Sequence, residues 1–148
     1  MTLEEMLRKG EIEELETSPE ELENLLKMAE RRLRDAKAMI ISNEVRFEQA
    51  YHVILTCATV VLRSLNLRVT SGDSKHVRTI ESLLYTLGKS KPDVRLFQKY
   101  RKKRNLDLYE GFVDVSEIEL AEAIRQAETV LDETKRNLQG PTQRTSAT

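Results

Sequence analysis

Apolar positions recur along this chain at intervals of three and four residues, the spacing that lays side chains on one face of an α-helix. The first long stretch, about Pro19 to Ile41, carries Leu22, Leu25, Leu26, Ala29, Leu33, Ala36, Met39 and Ile40 on one stripe, with Arg31, Arg32 and Arg34 on much of the remainder. A second runs from Ser42-Asn43 to about Leu65 with Phe47, Ala50, Tyr51, Ile54, Ala58, Val61 and Leu65 as its stripe. Val53, Leu55, Val60 and Leu62 widen that stripe until the helix is apolar nearly all round, as suits a central helix or one that also packs against another subunit. Its β-branched cluster Thr59-Val60-Val61 does not make a strand, because the apolar run is too long and holds no turn residue.

Asn66 to Ser74 carries turn chemistry and ends in a cap for a third helix, with Val77, Ile80, Leu83, Leu84 and Leu87 on one side and Gly88 as its C′ residue. Pro92, at a first helical position, starts a fourth helix through Val94, Leu96, Phe97, Tyr100 and Arg104 that ends near Gly111. Ser116-Glu117-Ile118-Glu119 opens a last helix with Leu120, Ile124, Ala127, Leu131 and Leu138 inward, stopped by Gln139-Gly140-Pro141. Thr2-Leu3-Glu4-Glu5, Ser18-Pro19-Glu20-Glu21 and that last start all match the capping box, in which a hydroxyl and a carboxylate three residues apart satisfy orphan amides. Short connections make successive helices neighbours. The expected fold is therefore all-α, an up-and-down bundle of four main helices with a short N-terminal helix. Residues 1–17 form the lead-in, 18–140 the bundle, and 141–148 a tail without apolar anchors that is expected to be disordered.

Composition narrows the setting. At 148 residues the chain fits one domain, and its 33% charged content, 5 Gly, 3 Pro and absent Trp agree with a helical protein. Cys57 is the single cysteine, so no disulfide framework or thiolate metal site arises within one chain, and a reducing, cytoplasmic compartment is expected. No apolar run reaches the roughly 18 residues that cross a bilayer, so neither secretion nor membrane insertion is expected. The net charge of −1 hides an asymmetry: residues 1–30 carry ten acids against three bases, and residues 63–104 twelve bases against three acids. Such a pattern is either paired internally or presents a basic face to nucleic acid.

The basic character peaks between Lys99 and Tyr109, where Lys99, Arg101, Lys102, Lys103 and Arg104 fall within six residues and Asn105 follows. A guanidinium beside an amide near a helix end suits phosphate, because the fork binds two oxygens at once. Arg101, Asn105 and Tyr109 share a helical face, whereas Arg104 and Tyr109, five apart, do not line up on a regular helix. The competing structural reading has Arg104 paired with a carboxylate of a neighbouring helix and Tyr109 closing the bundle end. His52 and His76 are the only histidines and have no ligand spacing around them, so no metal site is expected; His76, at the start of the third helix, can face the basic segment. Gly-rich phosphate loops, nucleophile elbows and zinc-hydrolase motifs are missing, and no cofactor is implied.

With these residues placed, the chain resembles the HEPN superfamily, the all-helical domains of prokaryotic toxin–antitoxin and defence systems. The resemblance covers about residues 8 to 138. It rests on Leu7-Arg8-Lys9-Gly10-Glu11-Ile12 and Ser18-Pro19-Glu20, on Phe47-Glu48-Gln49-Ala50-Tyr51, on Gly72 to His76, and on Arg101-Lys102-Lys103-Arg104-Asn105. After three further residues, active members carry a histidine and this chain carries Tyr109. The resemblance implies a metal-independent endoribonuclease site, usually composite across a homodimer, with Arg104 on phosphate, Asn105 orienting it and Tyr109 in the place of the general base or acid. A tyrosine of ordinary pKa, about 10, is a poor base at neutral pH but still donates a hydrogen bond. Three readings follow. The first is a homodimeric binder of RNA or a nucleotide, with Lys99, Arg101, Lys102, Lys103 and His76 supporting phosphate contact and ribonuclease activity weakened or absent. The second is an active ribonuclease toxin that recruits His76 or a perturbed Tyr109. The third is an interaction module that uses the apolar second helix, with a nucleotidyltransferase or an antitoxin protein as possible partner.

Overall fold

The computed structural model describes the backbone of residues 1–110 and 114–140 and the side chains of residues 1–106 and 114–140. The expected tail, 141–148, lies outside the described residues. Four long helices dominate: α2 (Pro19–Lys37), α3 (Asn43–Ser64), α6 (Lys91–Glu110) and α7 (Glu117–Gln139). Shorter elements are α1 (Leu3–Arg8), β1 (Ile12–Glu14), β2 (Leu67–Val69), α4 (Lys75–Glu81) and α5 (Leu83–Thr86).

The helix starts follow local cap chemistry. Thr2, Ser18 and Ser116 each accept from the amide three residues on, and Ser42 does so at 3.5 Å. Only Ser116 with Glu119 closes a full capping box in both directions. At the start of α2 the Glu21 carboxylate turns instead to Thr17 and Arg63; the Thr17 hydroxyl first, then the guanidinium, hold it below the usual carboxylate range. Ser74 makes no side-chain cap bond, and α6 begins one residue before Pro92, with the Ser90 hydroxyl accepting from the Asp93 amide.

Cross-links between helices give their directions. Arg32 meets Gln49 and Arg63 meets Glu21, so α2 runs antiparallel to α3. Asn43 bonds Glu117 at 2.8 Å and Cys57 pairs with Thr134, so α7 runs parallel to α3. Lys103 meets Glu119 and Lys89 meets Glu133, so α6 runs antiparallel to α7. The shared core draws Ala29 and Ala36 from α2, Phe47, Ala50, Tyr51, Ile54 and Ala58 from α3, Phe97 from α6, and Ala123, Ala127 and Leu131 from α7. The apolar breadth of α3 is thus consumed within this one chain, with α2, α6, α7 and α4 around it.

Three features depart from the sequence expectation. First, α2 stops at Lys37 rather than Ile41, because Arg46 Nε donates to the Ala36 carbonyl at 2.8 Å, the acceptor a longer helix would offer to residue 40. Met39 and Ile40, expected inward, are 82% and 96% exposed. Second, the helix expected from Ser74 to Gly88 divides at Ser82, whose buried hydroxyl donates back to the Thr79 carbonyl. Third, β1 and β2 form a two-stranded antiparallel sheet with Ile12 opposite Val69 and Glu14 opposite Leu67, where a short helix and lead-in were expected before Ser18 and turn chemistry alone after Leu65. Leu3, Met6 and Ile12 pack there with Leu62, Leu67 and Val69, so the lead-in is docked onto the far end of α3 by a small core of its own. Asn66, at φ 60, reverses the chain between α3 and β2, a left-handed conformation that asparagine tolerates.

Candidate functional site

The rotation of α6 decides what becomes of the basic run. Phe97 is fully buried and Tyr100 nearly so; the Tyr100 ring meets Phe47 edge to face at 5.4 Å, which fixes that side of α6 against α3. The five cations then divide among three directions. Lys103 binds Glu119 of α7 at 2.6 Å and lies over the Phe47 ring. Lys99 and Lys102 are exposed on the outward side. Arg101 and Arg104, both half-buried, turn toward α3 and α4. Asn105 is half-buried beside Arg104, with Arg104 Nη1 3.5 Å from its Oδ1, the outer limit of a hydrogen bond. Tyr109 belongs to the last turn of α6 by its backbone; its side chain lies outside the described residues.

The side that Arg101 and Arg104 face is polar although it grows from the most apolar helix. From α3 come Glu48, Tyr51 and His52; from α4 comes His76. The Tyr51 hydroxyl lies 3.2 Å from His76 Nδ1, on a side chain wholly shielded from solvent. Arg104 Nε lies 3.6 Å from Glu48 Oε1, close enough for charge attraction and too far for a hydrogen bond, so the Nε–H has no hydrogen-bond acceptor among the described residues. Arg32 reaches the same neighbourhood from α2, donating from Nη1 to Gln49 at 3.2 Å, and its buried Nε likewise has no hydrogen-bond acceptor among the described residues. Gln98 ties α6 to α4 through the Val77 carbonyl at 3.0 Å and accepts from Arg101 Nε at 2.9 Å, which orients that guanidinium.

These groups set one another's protonation. Burial, then the Arg32 and Arg104 charges, push His52 down to about 4. Burial, then Arg104, Lys75 and Arg101, lower His76 from its ordinary value. Burial pushes the Tyr51 hydroxyl up to about 12, with Arg104 and Arg101 pulling the other way. At neutral pH both imidazoles are therefore uncharged and the tyrosine keeps its proton, while the arginines remain cationic. The arrangement suits an anion: convergent guanidinium donors, a neutral imidazole held by a tyrosine, and one carboxylate that offsets part of the positive charge.

Sequence reasoning placed Arg101, Arg104, Asn105 and His76, and the structure draws Arg101, Arg104 and His76 together. It did not assign Tyr51, Glu48, His52 or Arg32 to the site. The available signal was polarity out of place, since Glu48 and His52 stand one turn apart on a helix otherwise apolar nearly all round. Among the described residues, no group of three or more His, Cys, Asp and Glu side chains is placed to hold a metal ion, and no helix is long and apolar enough to cross a membrane. Two surface depressions among the described residues lie elsewhere, one of about 410 Å³ along Glu14, Leu15, Glu16, Leu65 and Asn66, the other of about 380 Å³ along the start of α2. No protein-family model, curated protein or solved structure matches the chain.

Proposed function

We propose that this chain is a HEPN-like domain that holds RNA or a nucleotide by its phosphate at Arg101, Arg104 and His76, within a prokaryotic toxin–antitoxin or defence system. Asn105 orients the Arg104 fork, Lys99 and Lys102 add long-range attraction from the outward face, and Tyr109, a turn beyond Asn105, supplies a hydrogen bond where active relatives carry a histidine. Ribonuclease chemistry of the arginine-plus-histidine kind is weakened or absent, because a tyrosine of ordinary pKa, about 10, is a poor base at neutral pH. The domain works as a homodimer, in the cytoplasm, with a nucleotidyltransferase or an antitoxin protein as partner. The observation that carries the reading is the convergence of two arginines of α6 with an imidazole of α4 on the buried hydroxyl of Tyr51.

The test is binding of a labelled single-stranded RNA across a salt series. Affinity should fall steeply with salt, and Arg104→Ala should weaken it about tenfold while flattening the log–log slope by about 0.7, the increment for one phosphate contact on a single strand. Association that is undetectable or indifferent to salt refutes the proposal. A second reading, a protein-interaction module, draws on a different surface from the one the sequence suggested. In place of α3, which is covered, Met39, Ile40 and Ile118 expose their side chains at the end where α2 stops and α3 and α7 begin. A complex with another protein that survives high salt and ignores Arg104→Ala would favour it.

A further inference from the structure

We infer that the site selects a terminal phosphate monoester, the phosphorylated end of an RNA strand or of a nucleotide, over the internal phosphodiesters of the strand. This rests on the phosphate-binding reading above and specifies the ligand of that same site.

Charge is the first argument. The groups that meet here are Arg32, Lys75, Arg101 and Arg104 as cations, Glu48 as the carboxylate, and Tyr51, His52 and His76 as neutral groups at pH 7. Four positive charges against one negative leave a surplus of three. A terminal phosphate carries close to two negative charges near neutral pH, whereas a phosphodiester carries one. A diester would leave more of that positive charge uncompensated in a partly desolvated place, where charge imbalance costs more than at the open surface.

The second argument counts donors. Arg104 Nε and Arg32 Nε are buried N–H groups without a hydrogen-bond acceptor among the described residues. Buried donors of this kind are costly unless a partner arrives. Burial, opposed in part by the Arg104 and Arg101 charges, pushes the Tyr51 hydroxyl up to about 12, so it keeps its proton at neutral pH and has it to donate to His76 Nδ1 at 3.2 Å. We therefore assign the shared proton to Tyr51, which donates to His76 Nδ1 and leaves Nε2–H to donate outward. A terminal phosphate offers three unesterified oxygens to these donors; a diester offers two.

Depth is the third. The Arg104 side chain is 20% exposed and Tyr51 is shielded completely, so the convergent donors are recessed. A chain end enters a recess more readily than a strand that must continue on both sides.

The experiment compares three RNA oligonucleotides of one sequence, with a 5′-phosphate, a 3′-phosphate or neither, by fluorescence anisotropy in EDTA at moderate salt. The inference expects at least one phosphorylated strand to bind about tenfold more tightly than the unphosphorylated one, and the preferred end names the source. A nucleoside monophosphate should displace it. Arg104→Ala should abolish the preference, and His76→Gln should cut it severalfold. Thermal melts check that both variants fold, and Arg101→Ala is the reserve should Arg104→Ala not fold. Equal, salt-sensitive binding of all three strands overturns the inference and leaves the phosphate-binding reading standing. Binding of none overturns both, and a preference that Arg104→Ala and His76→Gln both leave intact overturns the assignment to this site.

Discussion

Arg63 gives the sharpest test of how the lead-in is held, because one buried guanidinium joins four chain segments. It is 5% exposed and donates to the carbonyls of Leu15 at 2.6 Å, Glu16 at 2.7 Å and Leu67 at 3.2 Å, and to the Glu21 carboxylate at 3.0 Å. Arg63→Met keeps the length and apolar stem but strips all of these donors. The three carbonyls lose their charged partner, and Glu21 keeps the Thr17 hydroxyl. Removing one member of a buried charged network costs about 3–5 kcal/mol. At about 2.1 cal/mol/K per residue, 148 residues unfold with an entropy near 0.3 kcal/mol/K, so the midpoint should fall by about 10–16 °C. Urea denaturation measures the loss. Amide exchange should quicken first at Leu15 and Thr70, whose amides bond Asn66 and Glu11 across the sheet, and less within α7. A stability loss under about 1 kcal/mol, or exchange that quickens evenly through α7, would refute the account of Arg63 as the staple.

Two further predictions use other parts of the fold. His52 is near 6.5 when unfolded and about 4 when folded, so the folded chain binds fewer protons and stability falls as pH drops through that window. The shift corresponds to about 3 kcal/mol by pH 4; His52→Gln should be less acid-sensitive than the parent in urea titrations at pH 7 and pH 4.5, and equal sensitivity would dismiss the account. Gly88 turns the chain after α5 at φ 68, with open space where a Cβ would sit, so Gly88→Ala should cost about 1–2 kcal/mol from backbone strain alone, and a neutral result in thermal melts would contradict that.

How far the sequence reached depended on the range of the interaction. Helix starts at Ser18, Ser42 and Ser116 were legible because a cap is chemistry within three residues. Phe47, Ala50, Tyr51 and Ile54 were legible as core because their period is the helix's own. The end of α2 was not, since it depends on Arg46, a residue of the next helix, taking the Ala36 carbonyl. Nor were β1 and β2: Leu67-Arg68-Val69 alternates in burial, but three residues are too few to distinguish from a turn, and Arg68 finds Glu13 only across the sheet. Arg63 looked like one more basic residue because its partners are mostly backbone carbonyls far away in sequence. At the site, Arg104 already lay on the stripe with Phe97 and Tyr100, so its inward turn was readable. The histidine it meets comes from another helix, and sequence spacing does not report that distance.

The expected site was a linear motif, and the candidate site is a place where four helices set charge against burial. The five cations of α6 look alike in sequence, yet the edge-to-face contact of Tyr100 with Phe47 assigns Lys103 to α7 and leaves Lys99 and Lys102 outside. Only Arg101 and Arg104 are spent on the interior, where each depresses the basicity of His76. Every neutral imidazole kept there is a proton the folded chain declines to bind, so the cluster costs stability as pH falls, and a bound anion would return part of it by screening the arginines. That coupling makes stability a reporter of occupancy: sulfate, whose own charge is constant between pH 6 and pH 8, must raise the unfolding midpoint more at pH 6 than at pH 8 if it sits among Arg101, Arg104 and His76, whereas sulfate held by Lys99 and Lys102 at the surface would leave the difference unchanged.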